Sequence, residues 1–157
     1  MKLRLSDTEN LPCSTKLEGN SISAYSPFAT EFNDQECLVA ALAETGYKEV
    51  EIHEQPTNLI GYYGDTRPEV ANIIVRRREI GRASNDIGFV KDETTGNYKA
   101  IISDYDRGHH NDKWLTGLKV VYTDKRMAKE ARRQGLVLKS RQVINGKIVA
   151  KYLKVGV

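Results

Sequence analysis

Apolar residues recur with two different periods along this chain, and the order of those periods predicts a mixed fold. Residues 1–21 follow neither period and contain Pro12, so they are expected to form a loosely attached N-terminal extension. The remainder, residues 22–157, is predicted to be a single domain. Its first apolar alternation, residues 22–32, predicts a strand that Pro27 interrupts, and a proline is tolerated at a sheet edge or at a bulge.

The next segment has the period of an amphipathic helix and carries signals at both ends. Asn33 is predicted as the N-cap and Asp34 as the first helical residue, with Glu36 placed to complete a capping box. Gly46 follows in the C′ position. One face is apolar, so this helix is expected to pack on another element; that face carries Leu38, Val39, Leu42 and Ala43.

After Gly46 the period shortens to two, which is typical of half-buried strands. The run 70–77 is apolar on both faces and is therefore predicted to be a central strand. A loop ending near Gly96 predicts a hairpin between the last two strands of this region. The predicted strands are 49–53, 59–63, 70–77, 87–91 and 98–103, with a turn at 55–58 between the first two.

The C-terminal part predicts a second helix and a second hairpin. Residues 114–134 have a helical apolar stripe, with a possible break at Gly117 or at Thr123 and Asp124. Asn145-Gly146 separates two alternating runs, which is a strong hairpin signal. The whole pattern predicts an α+β domain with a mostly antiparallel sheet, two helices packed on one face and a C-terminal hairpin.

The amino-acid composition indicates a globular protein and argues against a membrane protein. The 157 residues are 39% hydrophobic and 29% charged, which is typical of a globular domain. No apolar run approaches the roughly 18 residues of a membrane span, and the N-terminus has no signal peptide pattern. A cytoplasmic protein with no membrane partner is therefore expected, and its two scattered cysteines predict reduced thiols.

Charge is distributed unevenly along the chain. Residues 1–100 carry 11 Lys or Arg against 16 Asp or Glu, whereas residues 101–157 carry 13 against 5. The basic part suggests an anionic partner, although a solvated helix face is the commoner cause of such an excess. Helical spacing places four of the cations on one face, namely Lys125, Lys129, Arg132 and Arg133.

Several short segments carry a family resemblance through their shared order. They are Thr45-Gly46-Tyr47, Gly61-Tyr62-Tyr63-Gly64, Asp86-Ile87-Gly88-Phe89, Tyr98 before an apolar strand, and residues 129–135 before the terminal hairpin. In this order they resemble a small family of uncharacterised reading frames known from cyanobacterial and plastid genomes, with relatives in bacteria and phages. The resemblance spans residues 23–155. It implies a fold and a compartment but no activity.

The clearest candidate ligand segment is Gly61 to Arg67. Its glycines would let the backbone approach a ligand while Tyr62 and Tyr63 stack on it, and Arg67 would meet a phosphate. The alternative is structural: Gly61 forms a bulge, Gly64 a turn, and one tyrosine enters the core.

Two further groups of cations are candidate phosphate ligands. Arg76 and Arg78 are predicted on one face of a strand end, with salt bridges to neighbouring glutamates as the alternative. In the polar loop 104–112, Arg107, His109 and His110 would donate hydrogen bonds to a phosphate. That loop also contains three carboxylates, but its adjacent histidines are poorly spaced for one metal ion, so a solvated loop is favoured over a metal site.

No nucleophile has an evident base in the sequence, so an enzyme is the less favoured class and no cofactor is expected. The leading hypothesis is a non-catalytic protein that binds a small anionic nucleotide, in a pocket that a second subunit of a homo-oligomer would complete. By analogy with phage relatives, it would sequester a defence signalling nucleotide. The alternatives are a protein interaction module and a nucleic-acid-binding accessory protein. Arg67, Arg76 and Tyr62 are expected to lie together, with both arginines exposed.

Overall fold

The computed structural model describes residues 23–155, and within that range it is an α+β domain, as predicted. The predicted extension, residues 1–21, lies outside the described residues. The strands are β1 (Tyr25–Ala29), β2 (Glu51–Ile60), β3 (Thr66–Val75), β4 (Ile87–Lys91), β5 (Tyr98–Ser103), β6 (Leu136–Ile144) and β7 (Lys147–Lys154). The helices are α1 (Gln35–Glu44), the single-turn α2 (Arg77–Ile80) and α3 (Asp112–Arg133), and a 3-10 turn covers Asp106–Gly108.

Five strands form one antiparallel sheet in the order β1-β5-β4-β3-β2. The interior position of β3 agrees with its continuous apolar run. Strand β1 lies at the edge of the sheet and pairs with β5 on one side only. No strand on its other side requires a backbone N–H from Pro27, which has none. The hairpin predicted between β4 and β5 is confirmed.

Helices α1 and α3 supply the main core together with one face of the sheet. Phe32 packs between α3 and the sheet, with its ring 4.8 Å from the Tyr122 ring of α3 and 6.3 Å from the Phe89 ring of β4. The Tyr122 hydroxyl accepts hydrogen bonds from the backbone N–H of Asn33 and of Asp34 at 3.0 Å each, which ties α3 to the start of α1. The buried helix residues in this core are Cys37, Leu38, Ala41, Leu42, Leu118 and Tyr122.

The start of α1 differs from the prediction by one residue. Asp34, not Asn33, is the N-cap, and its carboxylate accepts a hydrogen bond from the N–H of Cys37 at 3.0 Å. Asn33 cannot cap because its side-chain oxygen accepts instead from Tyr122 and Arg126. Gly46 follows the helix with a φ of 114°, in agreement with its predicted C′ position.

The turn predicted at residues 55–58 is wrong, because β2 runs unbroken from Glu51 to Ile60. The pairing of β2 with β3 continues on both sides of a register shift between Ile52 and Thr57. A bulge of this kind bends a strand without ending it, and it accommodates the polar run with its proline.

Beyond this bulge the β2–β3 ribbon folds across the second face of the sheet. Leu59 and Ala71 from the ribbon form a second buried cluster with Ile74 and Ile101. Gly88 permits the close approach, since a Cβ at that position would lie 2.5 Å from the Cβ of Ala71. The fold therefore encloses the sheet on both faces, with helices on one and its own ribbon on the other.

Two boundaries near the helices also differ from the prediction. Strand β3 ends at Val75 rather than at residue 77, because the Asp86 carboxylate accepts a hydrogen bond from the N–H of Arg77 and turns the chain into α2. Helix α3 is continuous through Gly117 and Asp124, so the possible break does not occur. Asp124 is buried, and its carboxylate accepts a hydrogen bond from Arg141. This charged bond offsets the cost of burying a carboxylate.

The C-terminal hairpin is confirmed, but it forms a sheet of its own that packs against α3. Asn145 and Gly146 both have positive φ, at 52° and 76°, as a two-residue hairpin turn requires. Within residues 23–155 no helix combines the length and apolar character needed to span a membrane.

Candidate functional site

A cleft of about 270 Å³ opens where the tip of the β2–β3 ribbon meets the loop after β5. We call it the tyrosine cleft. Its polar side chains come from four separate parts of the chain, which the folded ribbon brings together. It is lined by Ser23, Tyr62, Tyr63, Asp65, Arg67, Ala83, Asn85 and Tyr105.

Arg67 is the buried cation of this cleft, with 8% of its surface exposed. Its Nη2 donates to the carbonyl of Ser23 at 2.8 Å, and its Nε lies 3.6 Å from a carboxylate oxygen of Asp65. The guanidinium also lies over the ring of Tyr25, 4.9 Å from its centroid. Its Nη1 is buried and has no hydrogen-bond partner among residues 23–155. Arg67 thus keeps one buried donor without an acceptor, and Oδ1 of the neighbouring Asp65 is likewise buried without a partner.

Tyrosine rings form the exposed wall of the cleft. Tyr62, Tyr63 and Tyr105 expose 45%, 62% and 56% of their surfaces. The rings of Tyr62 and Tyr63 meet edge to face at 4.9 Å, and the guanidinium of Arg77 lies 5.4 Å from the centroid of the Tyr62 ring. Tyr63 and Tyr105 therefore offer more free ring surface than Tyr62, which was the predicted stacking platform.

A buried polar network beneath the cleft holds its backbone in place. The Asn85 side-chain oxygen accepts from the N–H of Tyr62 at 2.8 Å, and its Nδ2 donates to the Ser103 hydroxyl at 2.9 Å. Asp106 accepts from the N–H of Asn85 and from the Ser103 hydroxyl, both at 2.9 Å. Sequence reasoning missed these residues. The available signal was the polar run Ser84-Asn85-Asp86 directly before a buried strand.

Arg76 does not line the tyrosine cleft, and its guanidinium donates hydrogen bonds to carboxylates. It donates to both oxygens of Glu51 at 2.7 and 2.8 Å and to Asp86 at 2.6 Å. The bonds from Arg76 lower the pKa of Glu51 to about 2, against the opposing effect of burial. Arg76 and Arg67 are therefore not the exposed pair that the sequence predicts, because both guanidiniums anchor the fold.

Two of the remaining candidates line a second cleft of about 480 Å³, here called the histidine cleft. His110 is buried, and its Nε2 lies 2.8 Å from the Tyr47 hydroxyl. Burial lowers the pKa of His110, which favours its neutral form. Arg107 lies over the Phe28 ring and 3.4 Å from Asp104. The cleft is lined by Phe28, Ile102, Asp104, Arg107, Gly108, His110, Asn111, Asp112 and Leu115.

The structure thus separates the predicted ligand residues. Tyr62, Tyr63 and Arg67 share the tyrosine cleft, and Arg107 and His110 share the histidine cleft. Arg78 and His109 are exposed and line neither. Within the described part of the chain, no three His, Cys, Asp or Glu side chains are grouped to hold a metal ion.

The basic face of α3 is largely paired with carboxylates of α1. Lys125 lies 2.6 Å from Glu44, and Lys129 lies 2.7 Å from Asp34. Arg133 pairs with Glu130 on its own helix. The helical cations therefore hold the two helices together more than they present free charge to a partner.

Comparison with known proteins gives one match. The model of a family described as protein of unknown function (DUF1257) matches residues 41–148, from the middle of α1 to the start of β7. No curated protein and no solved structure matches this chain. The matched region contains most of the tyrosine cleft and all of α3.

Proposed function

Because this chain belongs to the DUF1257 family, whose members share no assigned activity, we propose a function from the site: non-catalytic binding of a small anionic nucleotide in the tyrosine cleft. Of the candidate ligand residues that the sequence suggests, Tyr62, Tyr63 and Arg67 line this cleft. The proposal excludes Arg76 and Arg78 from the ligand contacts and adds Asn85 and Tyr105 to them.

The observation that carries the proposal is the unpaired Nη1 of Arg67. A buried donor without an acceptor costs about 1–3 kcal/mol, and more when it is charged. A phosphate oxygen is the acceptor that a guanidinium binds best, because the bond is charge-assisted and can be bidentate. A phosphate oxygen that bonded to Nη1 would therefore contribute favourable free energy to binding.

The exposed tyrosines support the choice of a nucleotide over a simple phosphate. Tyr63 and Tyr105 present ring faces to the same cleft that Arg67 lines. Stacking of a base on an aromatic ring contributes about 1–3 kcal/mol. The Asn85 amide, held by Ser103 and the Tyr62 backbone, adds a polar group with a defined orientation.

The volume of the cleft limits the ligand. About 270 Å³ lies just below the roughly 300–1,000 Å³ of common small-molecule pockets. We therefore expect a mononucleotide rather than a dinucleotide in one chain, and a second copy of the chain over the cleft would be needed to enclose anything larger. A protein that holds such a ligand without converting it acts by sequestration.

Thermal denaturation with a panel of mono-, di- and cyclic nucleotides tests the proposal. A binding nucleotide at 100-fold excess over its Kd should stabilise the folded chain by about 2.7 kcal/mol. Tyr63→Ala should abolish most of this stabilisation without lowering the melting temperature of the free protein, because the ring is exposed. Arg67→Lys should also weaken binding, since a lysine keeps the charge and loses the planar fork. Because Arg67 is buried and bonds to Ser23, the melting temperature of the free variant is compared with that of the wild type before its shift is interpreted.

Arg78→Ala is the matched control, because it removes an exposed arginine outside the cleft. It should leave the nucleotide shift unchanged. The proposal fails if no nucleotide in the panel stabilises the wild-type chain, or if Tyr63→Ala and Arg78→Ala reduce the shift equally.

A further inference from the structure

A third concave surface lies on the far side of the molecule, between α3 and β7. We call it the α3–β7 groove, and its volume is about 420 Å³. One wall is a stripe of α3 and the other is the face of β7 that turns toward the helix. It is lined by Thr116, Lys119, Val120, Thr123, Asp124, Met127, Lys147, Ile148, Ala150 and Tyr152.

Strand β7 has an unused edge beside this groove. It pairs only with β6 within the described residues, so one of its two edges presents unpaired N–H and C=O groups. An isolated two-stranded hairpin is marginal in water and gains from a third strand. The edge and the groove together therefore form a template for an added strand.

Apolar exposure is concentrated on the same hairpin. Seven of the thirteen large hydrophobic side chains that are exposed in residues 23–155 belong to it or follow it directly. They are Val137, Leu138, Val143, Ile144, Val149, Leu153 and Val155. Met127 adds an exposed apolar side chain to the floor of the groove. The register of β7 places Val149 and Leu153 on the face opposite to Ile148, so within the groove itself the exposed apolar side chain is Met127.

The positive charge of the hairpin favours an acidic partner. Residues 136–155 contain five Lys or Arg and no Asp or Glu. Arg141 is the one cation of this segment that forms an ion pair within the described residues, to Asp124 and Glu44. Asp124 is the sole carboxylate lining the groove, and Arg141 neutralises it. Of the two lysines that line the groove, Lys119 pairs with Glu31 at 2.7 Å, whereas Lys147 has no ion-pair partner within residues 23–155 and is available to an anion.

We propose that the α3–β7 groove binds an extended acidic segment of a partner protein, which adds to β7 as a third strand. Alternate apolar side chains of that segment enter the groove beside Met127 and Ile148, and its carboxylates face Lys147 and its neighbours. A second copy of this chain is disfavoured because its hairpin carries the same charge. Nucleic acid is disfavoured because the groove walls are mainly aliphatic, with Tyr152 as the single aromatic ring.

The test begins with a phage-displayed library of random eight-residue peptides, the length of β7, panned against the full chain. The enriched peptides should alternate Asp or Glu with Val, Ile or Leu. One synthetic peptide of that pattern is then titrated by fluorescence anisotropy. Its binding should slow hydrogen exchange most at the backbone amides on the free edge of β7, with a smaller effect in β6 and none in β2 and β3.

Two variants locate the binding surface. Met127→Gln removes an exposed apolar side chain without changing charge, and Lys147→Glu reverses a charge at the rim. Each should weaken the peptide roughly fivefold or more. Lys139→Glu on β6 is the matched control, since it makes the same charge change outside the groove, and its effect should stay below about twofold.

Three results would overturn the proposal. The first is a library that yields no enriched sequence or one without acidic residues. The second is peptide binding that survives both Met127→Gln and Lys147→Glu. The third is a single-stranded oligonucleotide that displaces the peptide and whose own binding depends on Lys147 but not on Met127, which would assign the surface to nucleic acid.

Discussion

This molecule contains two antiparallel ribbons of similar length, one of which packs on the sheet while the other forms a separate sheet. The β2–β3 ribbon, with ten residues in each strand, folds across the sheet and becomes part of a buried cluster. The β6–β7 ribbon, with nine and eight residues, forms a separate sheet with exposed apolar side chains. Strand length does not explain the difference, because it is nearly the same in the two ribbons.

The difference lies in the polar side chains that anchor each ribbon to the rest of the domain. The tip of β2–β3 is held by the buried Asp86 carboxylate, which accepts from the N–H of Ile60, the N–H of Arg77 and the guanidinium of Arg76. The β6–β7 ribbon has one comparable anchor, Arg141, and that side chain is partly exposed. Buried, fully paired polar groups specify where a ribbon docks, whereas an exposed pair leaves its surface open to a partner.

The largest expected effect is removal of the first anchor. Asp86→Ala deprives Arg76 and two backbone N–H groups of their shared acceptor inside the protein. Breaking a buried pair from one side costs about 3–5 kcal/mol, so the urea midpoint should fall steeply. Asp104→Asn, which alters an exposed pair with Arg107, should change stability by less than about 0.5 kcal/mol. Equal effects of the two substitutions would remove the distinction between buried and exposed anchors.

The next effect concerns the surface on which the β2–β3 ribbon docks. Gly88→Ala places a Cβ 2.5 Å from the Cβ of Ala71 and 2.9 Å from the Leu59 side chain. Overpacking of this kind costs about 1–3 kcal/mol in thermal or urea denaturation. Adding Ala71→Gly should recover part of the loss, because it removes the nearest clashing atom. Destabilisation that the second substitution does not relieve would mean that the ribbon is not docked on Gly88.

A smaller and more local effect is expected at the second ribbon. Arg141→Ala leaves the buried Asp124 without its partner, at roughly 1–2 kcal/mol after allowance for the exposure of the arginine. Amide hydrogen exchange should accelerate in β6 and β7 and stay unchanged in β2 and β3. Uniform acceleration across the chain would show that the hairpin unfolds only with the rest of the domain.

The smallest effect is a pH dependence at the first anchor. The pKa of Glu51 is about 2 in the folded chain, below its ordinary 4.5, so its bonds to Arg76 stabilise the fold above about pH 4.5. This contribution is lost as the pH falls toward 2, and for a partly exposed pair it stays below about 1 kcal/mol. Glu51→Gln should therefore be less stable than wild type near pH 6 and approach it on acidification. A difference that does not change with pH would contradict the assignment.

Most of the element order was predictable from local patterns. The capped helix ending before Gly46, the β4–β5 hairpin and the Asn145-Gly146 hairpin follow from periodicity and turn chemistry, which act within a few residues. The errors occurred where a distant side chain decides the backbone. Tyr122 and Arg126 donate hydrogen bonds to the side-chain oxygen of Asn33, so Asp34 caps α1 instead. The Asp86 carboxylate accepts from the N–H of Arg77, so β3 ends at Val75.

The candidate site was predictable in part. Tyr62, Tyr63 and Arg67 were found because aromatic and basic residues between glycines form a contiguous pattern. Asn85 and Tyr105 were missed because they reach the cleft from separate segments and carry no local signature. Arg76 was included because a sequence shows that an arginine is present but not that carboxylates elsewhere in the chain bond to it. Arg78 was included because the strand was expected to extend to residue 77, whereas β3 ends at Val75 and Arg78 lies in α2.

The sequence by itself determined the α+β class, the two hairpins and the basic character of the C-terminal part. Each of these depends on spacing or charge that neighbouring residues share. Only the tertiary structure decided which cations are free: α1 carboxylates neutralise Lys125 and Lys129, whereas Lys147 has no ion-pair partner within the described residues. It also decided which ribbon is buried, because the interaction of Asp86 with Ile60 joins residues that are far apart in the chain and close only after folding.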